Sequence, residues 1–243
     1  MTSQHHSAAD IAGKSVTVVL VHGAFVDASG WRPVFEILSQ EGYEVLVVQN
    51  SAISLSDDVA RTRSVIAQAT HPVVLVGHSY GGAVITEAGV DENVRCLVYL
   101  AAFVPDVGES VFDLASQEVP GAQKAPLLPP VDGFIRVEPA KFPAAFAAEI
   151  DPAQARFMAT AQRPWGLEAV QGKITSPAWK IRPSFYLLAS EDRMIPPQAQ
   201  ENMAAKAGAS LVRTRSSHAV MLSQPQDVAA IIRTAAETAT AQS

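Results

Sequence analysis

The sequence predicts an α/β protein: a doubly wound, mostly parallel sheet with an inserted, mainly helical lid. Three observations carry this. Short valine- and leucine-rich runs recur without polar alternation, as in strands covered on both faces. Over residues 15–104 they alternate with helical segments as β-α-β-α-β-α-β, an order that gives right-handed crossovers and a parallel sheet. The rhythm stops over residues 105–182, where Pro120, Pro126, Pro129, Pro130, Pro139 and Pro143 cluster, and resumes over 183–238. A segment of that length is too long for a plain loop.

In chain order, residues 1–14 are a polar tail, with His5 and His6 as tail residues lacking acidic or cysteine neighbours at ligand spacing. Val16 to Val21 is a β-branched strand that runs into His22-Gly23-Ala24-Phe25. A helix is expected from Trp31 to Gln40, stopped by Gly42, then a strand from Glu44 to Val48. Ser56 or Asp57 can cap a helix reaching Ala69. Val73 to Val76 is a strand ending in a turn and helix, and Val94 to Ala101 is the fourth strand. Within 105–182, prolines open helical pieces at Pro143–Ile150 and Pro152–Gln162, with another at Leu167–Gln171. The core resumes with a strand at Ser184–Ala189, a helix at Pro197–Ala207, a strand at Ser210–Arg213 and a helix at Ser223–Thr238; residues 239–243 form a tail.

Composition excludes several classes. Of 243 residues, 48% are hydrophobic and 17% charged, enough for one sizeable core. The net charge is −6 without a basic cluster, so neither nucleic acid nor an anionic membrane is an expected partner. The single cysteine, Cys96, lies in an apolar strand and reads as a buried thiol. Met1 to Lys14 lacks the apolar core of a signal peptide, so the cytoplasm is the expected location. A homodimer is compatible with such a chain.

The chemistry centres on Gly77-His78-Ser79-Tyr80-Gly81, set between a buried strand and a helix. A serine hydroxyl is a weak nucleophile and must stand clear of its backbone; a strand-to-helix turn lifts it out at the cost of strain. The glycines two before and two after remove side chains that would collide there. The helix N-terminus aims free N–H groups at developing negative charge. Such a serine needs a base and an orienting acid beyond the carboxyl ends of the strands. His218 follows the last strand, and Asp192 follows the strand before it; Glu191 and Asp106 are rivals for the acid. The chain order is serine, acid, histidine. For an oxyanion, the expected donors are the N–H of Tyr80 and that of Ala24, with Phe25 second. His22 is expected to brace its loop, His78 to face away from the reacting side, and His71 to be exposed.

With those residues in view, the chain resembles the α/β-hydrolase superfamily, and more narrowly the small lidded esterases that include plant methylesterases and hydroxynitrile lyases. The matching pieces are Val-Leu-Val-His22-Gly-Ala-Phe, Gly30-Trp31, Gly77-His-Ser-Tyr-Gly-Gly82, Asp192-x-x-Ile-Pro196 and Ser217-His218. The resemblance carries the nucleophile to Ser79, the acid to Asp192, the base to His218 and the oxyanion amides to Ala24 and Tyr80. The lyases of this group place a threonine after the first-loop histidine and a lysine after the catalytic one; here stand Gly23 and Ala219. Without that cation, cyanide release lacks its partner, and ester hydrolysis is implied.

The expected activity is therefore hydrolysis of a small-to-medium apolar carboxylic ester through an acyl-enzyme, with no metal or cofactor. Phe25, Phe103, Phe134, Trp165 and Met194 are candidates for the substrate pocket. The same triad would also serve carbon–carbon bond hydrolysis, acyl transfer or perhydrolysis, and the fold could serve as a ligand receptor.

Overall fold

The computed structural model describes residues 15–241. The strands are β1 (Thr17–Val21), β2 (Glu44–Val48), β3 (Val73–His78), β4 (Val94–Leu100), β5 (Phe134–Ile135), β6 (Trp165–Gly166), β7 (Ser184–Ala189) and β8 (Ser210–Thr214). Six of them form a sheet in the order β2-β1-β3-β4-β7-β8, with every pairing parallel. β1, β3 and β7 are buried along their whole length, which is why their residues are apolar without alternation. The edges β2 and β8 are more exposed.

The helices are α1 (Arg32–Gln40), α2 (Leu55–Ile66), α3 (Gly81–Ala88), α4 (Val111–Ala115), α5 (Phe142–Phe146), α6 (Pro152–Thr160), α7 (Leu167–Gln171), α8 (Pro197–Lys206), α9 (Val220–Ser223) and α10 (Pro225–Ala241). Successive strand residues feed opposite faces of the sheet. Val18, Leu20, Val74, Val76 and Val98 pack with Trp31, Leu38 and Ile232, beneath α1 and α10. Val19, Val21, Leu75, Leu97 and Tyr99 pack in the other core with residues of α2, α3 and segment 105–182. Each face buries apolar area worth about 25 cal/mol per Å².

The strand order reverses about β1 and β3, which lie side by side in register, Val21 opposite Gly77. The loops after these two strands, which carry His22 and Ser79, therefore lie against each other at the carboxyl edge of the sheet.

Several elements differ from the sequence reading. The cap of α2 is Ser54, whose side chain accepts from Asp57 N–H, rather than Ser56 or Asp57. Segment 105–182 contains α4, opened by a reciprocal cap between Ser110 and Asp113, and a small antiparallel pair, β5 with β6; neither was expected. α5 ends at Phe146, short of Ile150. The last helix is divided at Gln224, because the proline at 225 disfavours helical backbone just before it. α10 continues to Ala241, past Thr238 into the expected tail. Residues 1–14 and 242–243, with His5 and His6, lie outside the described residues. Cys96 is buried in β4, and burial pushes its thiol up to about 11. Among the described residues no helix is long and apolar enough to cross a membrane.

Candidate active site

Ser79 sits at the turn between β3 and α3 with φ of 54°, in the left-handed region that a side chain rarely adopts. Strain of this kind costs on the order of 1–3 kcal/mol and persists only where neighbours impose it. Here Ser79 N–H donates to Leu100 O at 3.2 Å, and Ser79 O accepts from Gly82 N–H at 3.0 Å and Phe103 N–H at 3.1 Å. The turn closes tightly on its neighbours. A β-carbon on Gly77 would lie 2.6 Å from Gly81 O, and one on Gly81 would lie 2.5 Å from Val21 O.

Asp192 and His218 meet each other, and His218 lies against His78, the residue before Ser79. His218 Nδ1 lies 2.7 Å from Asp192 Oδ2, and both side chains are buried. Asp192 Oδ1 also accepts from Met194 N–H at 2.7 Å and Ile195 N–H at 3.1 Å, while Gln200 Nε2 donates to Oδ2 at 2.8 Å. The carboxylate is thus fully engaged inside the fold. The rivals are occupied elsewhere: Glu191 pairs with Arg215 at 2.6 Å, and Asp106 with Lys180 at 2.5 Å. Among the described residues no hydrogen bond joins Ser79 Oγ to the His218 ring. The two residues are linked through His78, whose Nε2–H donates to His218 O at 2.9 Å and whose ring lies 4.7 Å from that of His218.

The loop after β1 comes against the turn. A β-carbon on Gly23 would lie 2.7 Å from Ser79 Cβ, so this position must be bare. His22 Nδ1–H donates to Gly23 O at 2.8 Å, and its Nε2 accepts from Asn50 N–H at 2.9 Å. Asn50 Nδ2 closes the brace on His22 O at 2.9 Å. Burial holds the His22 ring below the usual imidazole range. Phe25 is left-handed, with φ of 66°. The N–H groups of Ala24 and Tyr80 have no protein acceptor among the described residues. Tyr80 is anchored at its far end, where its hydroxyl donates to buried Asp58 Oδ2 at 2.9 Å. Burial, reinforced by that carboxylate, pushes the Tyr80 phenol well above its usual value.

Comparison with known proteins gives the family. Residues 18–231 match the Alpha/beta hydrolase family. The chain belongs to the alpha/beta hydrolase family. This hydrolase is 37% identical over 116 residues to a carbendazim hydrolyzing esterase of Nocardioides sp. (strain SG-4G), an alignment covering 42% of the chain and 48% of that relative. It is 26% identical over 242 residues to the alpha/beta hydrolase nvfD of Aspergillus novofumigatus (strain IBT 16806), covering 90% of the chain and 96% of the relative. The fold matches the pyrethroid hydrolase PytH, with a TM-score of 0.78, 20% identity and coverage of 92% of this chain and 98% of that one. It also matches polyneuridine aldehyde esterase, with a TM-score of 0.75, 22% identity and coverage of 89% and 97%.

The hydrolase places the five pocket candidates in different settings. Phe25, Tyr80 and Trp165 form an aromatic cluster, with Trp165 5.6 Å from Phe25 and 5.4 Å from Tyr80. Phe103 is buried and bonded to Ser79 through its backbone. Met194 lies against Asp192 through its N–H. Phe134 is 37% exposed and lines a surface cavity of about 270 Å³ with Leu128, Val131 and Arg136. Neither that cavity nor a second of about 490 Å³ between α2 and α7 is lined by Ser79, Asp192 or His218.

Sequence reasoning missed several neighbours of the site. His78 does not simply face away: it is fully buried against His218 and Phe146, and burial, with the His218 ring beside it, holds it well below the usual imidazole range. Gln200 was missed although it carries a signal, a polar residue on the same face of α8 as buried Met203 and Ala204. Asp58, Asn50 and Glu149 carry no such signal, because their partners are distant in sequence.

Proposed function

We propose that this hydrolase is a carboxylesterase-type serine hydrolase acting through an acyl-enzyme on a small-to-medium apolar ester. The observation that carries the reading is the buried Asp192–His218 hydrogen bond of 2.7 Å beside a left-handed serine. Asp192 holds the ring with Nδ1 protonated, which leaves the Nε2 lone pair for the Ser79 proton. A hydrogen bond from Oγ–H to Nε2 that forms only with substrate bound is ordinary for such sites. Ser79 Oγ attacks the ester carbonyl as Nε2 takes its proton, and the amides of Ala24 and Tyr80 hold the oxyanion. The alcohol departs with the proton from Nε2. Water, deprotonated by the same nitrogen, then attacks the acyl carbonyl and frees the acid and Ser79.

Segment 105–182 acts as a lid in this reading, because Phe146 and Trp165 bring its aromatic side chains against the His218 ring and the Tyr80 ring. Apolar lining favours apolar substrates. The relatives named for hydrolysing carbendazim and pyrethroids fit an ester-like carbonyl substrate. A lyase reading is disfavoured at both diagnostic positions. Ala219 offers no cation, and any β-carbon at 23 would meet Ser79 at 2.7 Å.

The deciding experiment is Ser79→Ala with p-nitrophenyl acetate. Turnover should fall by roughly 10⁴-fold or more while circular dichroism is unchanged. Activity within tenfold of the parent would reject Ser79 as nucleophile.

A further inference from the structure

The chain on either side of His218 is fastened to one short piece of segment 105–182. Ser217 N–H donates to both carboxylate oxygens of Glu149, at 3.1 and 3.0 Å, and Ser217 Oγ–H donates to Glu149 Oε2 at 2.6 Å. Ala148 N–H donates in turn to Ser217 Oγ at 3.0 Å. Ala219 N–H donates to Phe146 O at 2.8 Å, and the Phe146 ring stands edge-on to His218 with centroids 4.7 Å apart. Ser217 is buried, whereas Glu149 is exposed. A surface carboxylate has water available to it; this one instead points back onto the residue before the histidine.

We propose that Glu149 is a positioning residue for His218: from the inserted segment it holds the Ser217 backbone and so sets where the imidazole stands relative to Ser79. The proposal rests on the reading of His218 as the base. Asp192 holds the ring at one nitrogen and governs its rotation. It does not set the place of the His218 Cα, which follows the main chain. That main chain is held by His78 from the sheet side and by Glu149 and Phe146 from the inserted segment. Glu149 is the one charged tie among them, and it accepts from both the N–H and the Oγ–H of Ser217. An ångström of misplacement at a proton-transferring group can cost on the order of 10²-fold in rate. Consequently the Phe142–Glu149 stretch is part of the mount of the base rather than a free flap.

The test uses the full chain and p-nitrophenyl acetate. Glu149→Ala should lower kcat about tenfold with KM within about twofold of the parent, because the carbonyl still docks while the base is displaced. Glu149→Gln keeps one acceptor oxygen and should recover kcat to within about threefold. Loss of packing alone would lower the melting temperature without producing this split or this rescue. A Glu149→Ala kcat within twofold of the parent, a loss carried by KM, or a loss that glutamine does not recover would overturn the proposal. If Glu149→Ala does not fold, Glu149→Asp takes its place: the carboxylate withdrawn by one methylene from the Ser217 N–H should lower kcat about threefold at unchanged KM, and unchanged kcat overturns the proposal. Ser79→Ala, assayed in parallel, tests the underlying reading on a different residue, so the two failures are distinguishable.

Discussion

Asp192 and His218 share one hydrogen bond but are mounted in different ways. Asp192 is held by its own surroundings in the sheet core: two amides of its turn and Gln200 of α8, which itself bonds Ala189 N–H and Ile195 O. His218 is held at its backbone by His78 of the turn after β3 and, through its neighbours Ser217 and Ala219, by the inserted segment. Asp192 is thus tied to its own turn and α8, whereas the chain around His218 is tied to residues outside the sheet; under the proposed reading, sequence change there would reach the chemistry without touching the triad.

The largest break in that comparison is at the bond itself. Asp192→Asn presents an amide N–H or carbonyl in place of the carboxylate and favours the wrong tautomer of His218. kcat should fall by roughly 10⁴-fold, about 5.5 kcal/mol of barrier, and the melting temperature should fall too, because the amide turns an N–H toward buried donors that the carboxylate accepted. A fall below tenfold would show that this bond does not orient the ring. A smaller effect comes from acid. His22 and His78 are buried and neutral, each held below its ordinary value of 6.5. Below that pH the unfolded chain takes up protons that the folded chain refuses, so stability falls as pH drops through about 6.5 and is regained above it. Each ring contributes a slope of up to roughly 1.4 kcal/mol per pH unit. Urea unfolding between pH 7.5 and 5 would measure this; a flat profile would mean that the rings protonate in place, and that the sheet-side mount of His218 survives acid. The smallest effect is expected at the rival acid. Glu191 forms an exposed pair with Arg215. Glu191→Gln should change kcat less than twofold, and a larger loss would show that the surface pair, too, helps to place the base.

The legible parts of the fold were those with local causes. β1, β3 and β7 could be placed from unbroken apolar runs, because a strand covered on both faces leaves no polar positions. The nucleophile turn could be placed from Gly77 and Gly81, because the backbone there passes within 2.6 Å of where their side chains would begin. Asp192 and His218 followed from their position after β7 and β8. The illegible parts had causes at a distance. β5 and β6 are two residues each, too short for any period to show. Phe134, an aromatic like any other in the sequence, stands at a surface cavity, whereas Trp165, paired with its neighbour Ile135 across β5 and β6, stands against Tyr80. His78 was legible only as a residue facing away from the reacting side, because its position in the turn does not say that the His218 and Phe146 rings pack on it.

By itself the sequence determined the strand-helix alternation and the strained serine turn, since each follows from periodicity or from steric limits within a few residues. Only the tertiary structure decided what steadies the reactive side chains. Gln200 behind Asp192 is chosen by how α8 folds back on the turn before it, and Asp58 beneath Tyr80 and Glu149 with Phe146 around His218 by packing between segments tens of residues apart. A hydrogen bond of that reach depends on where two backbones come to rest, and neither segment records it alone.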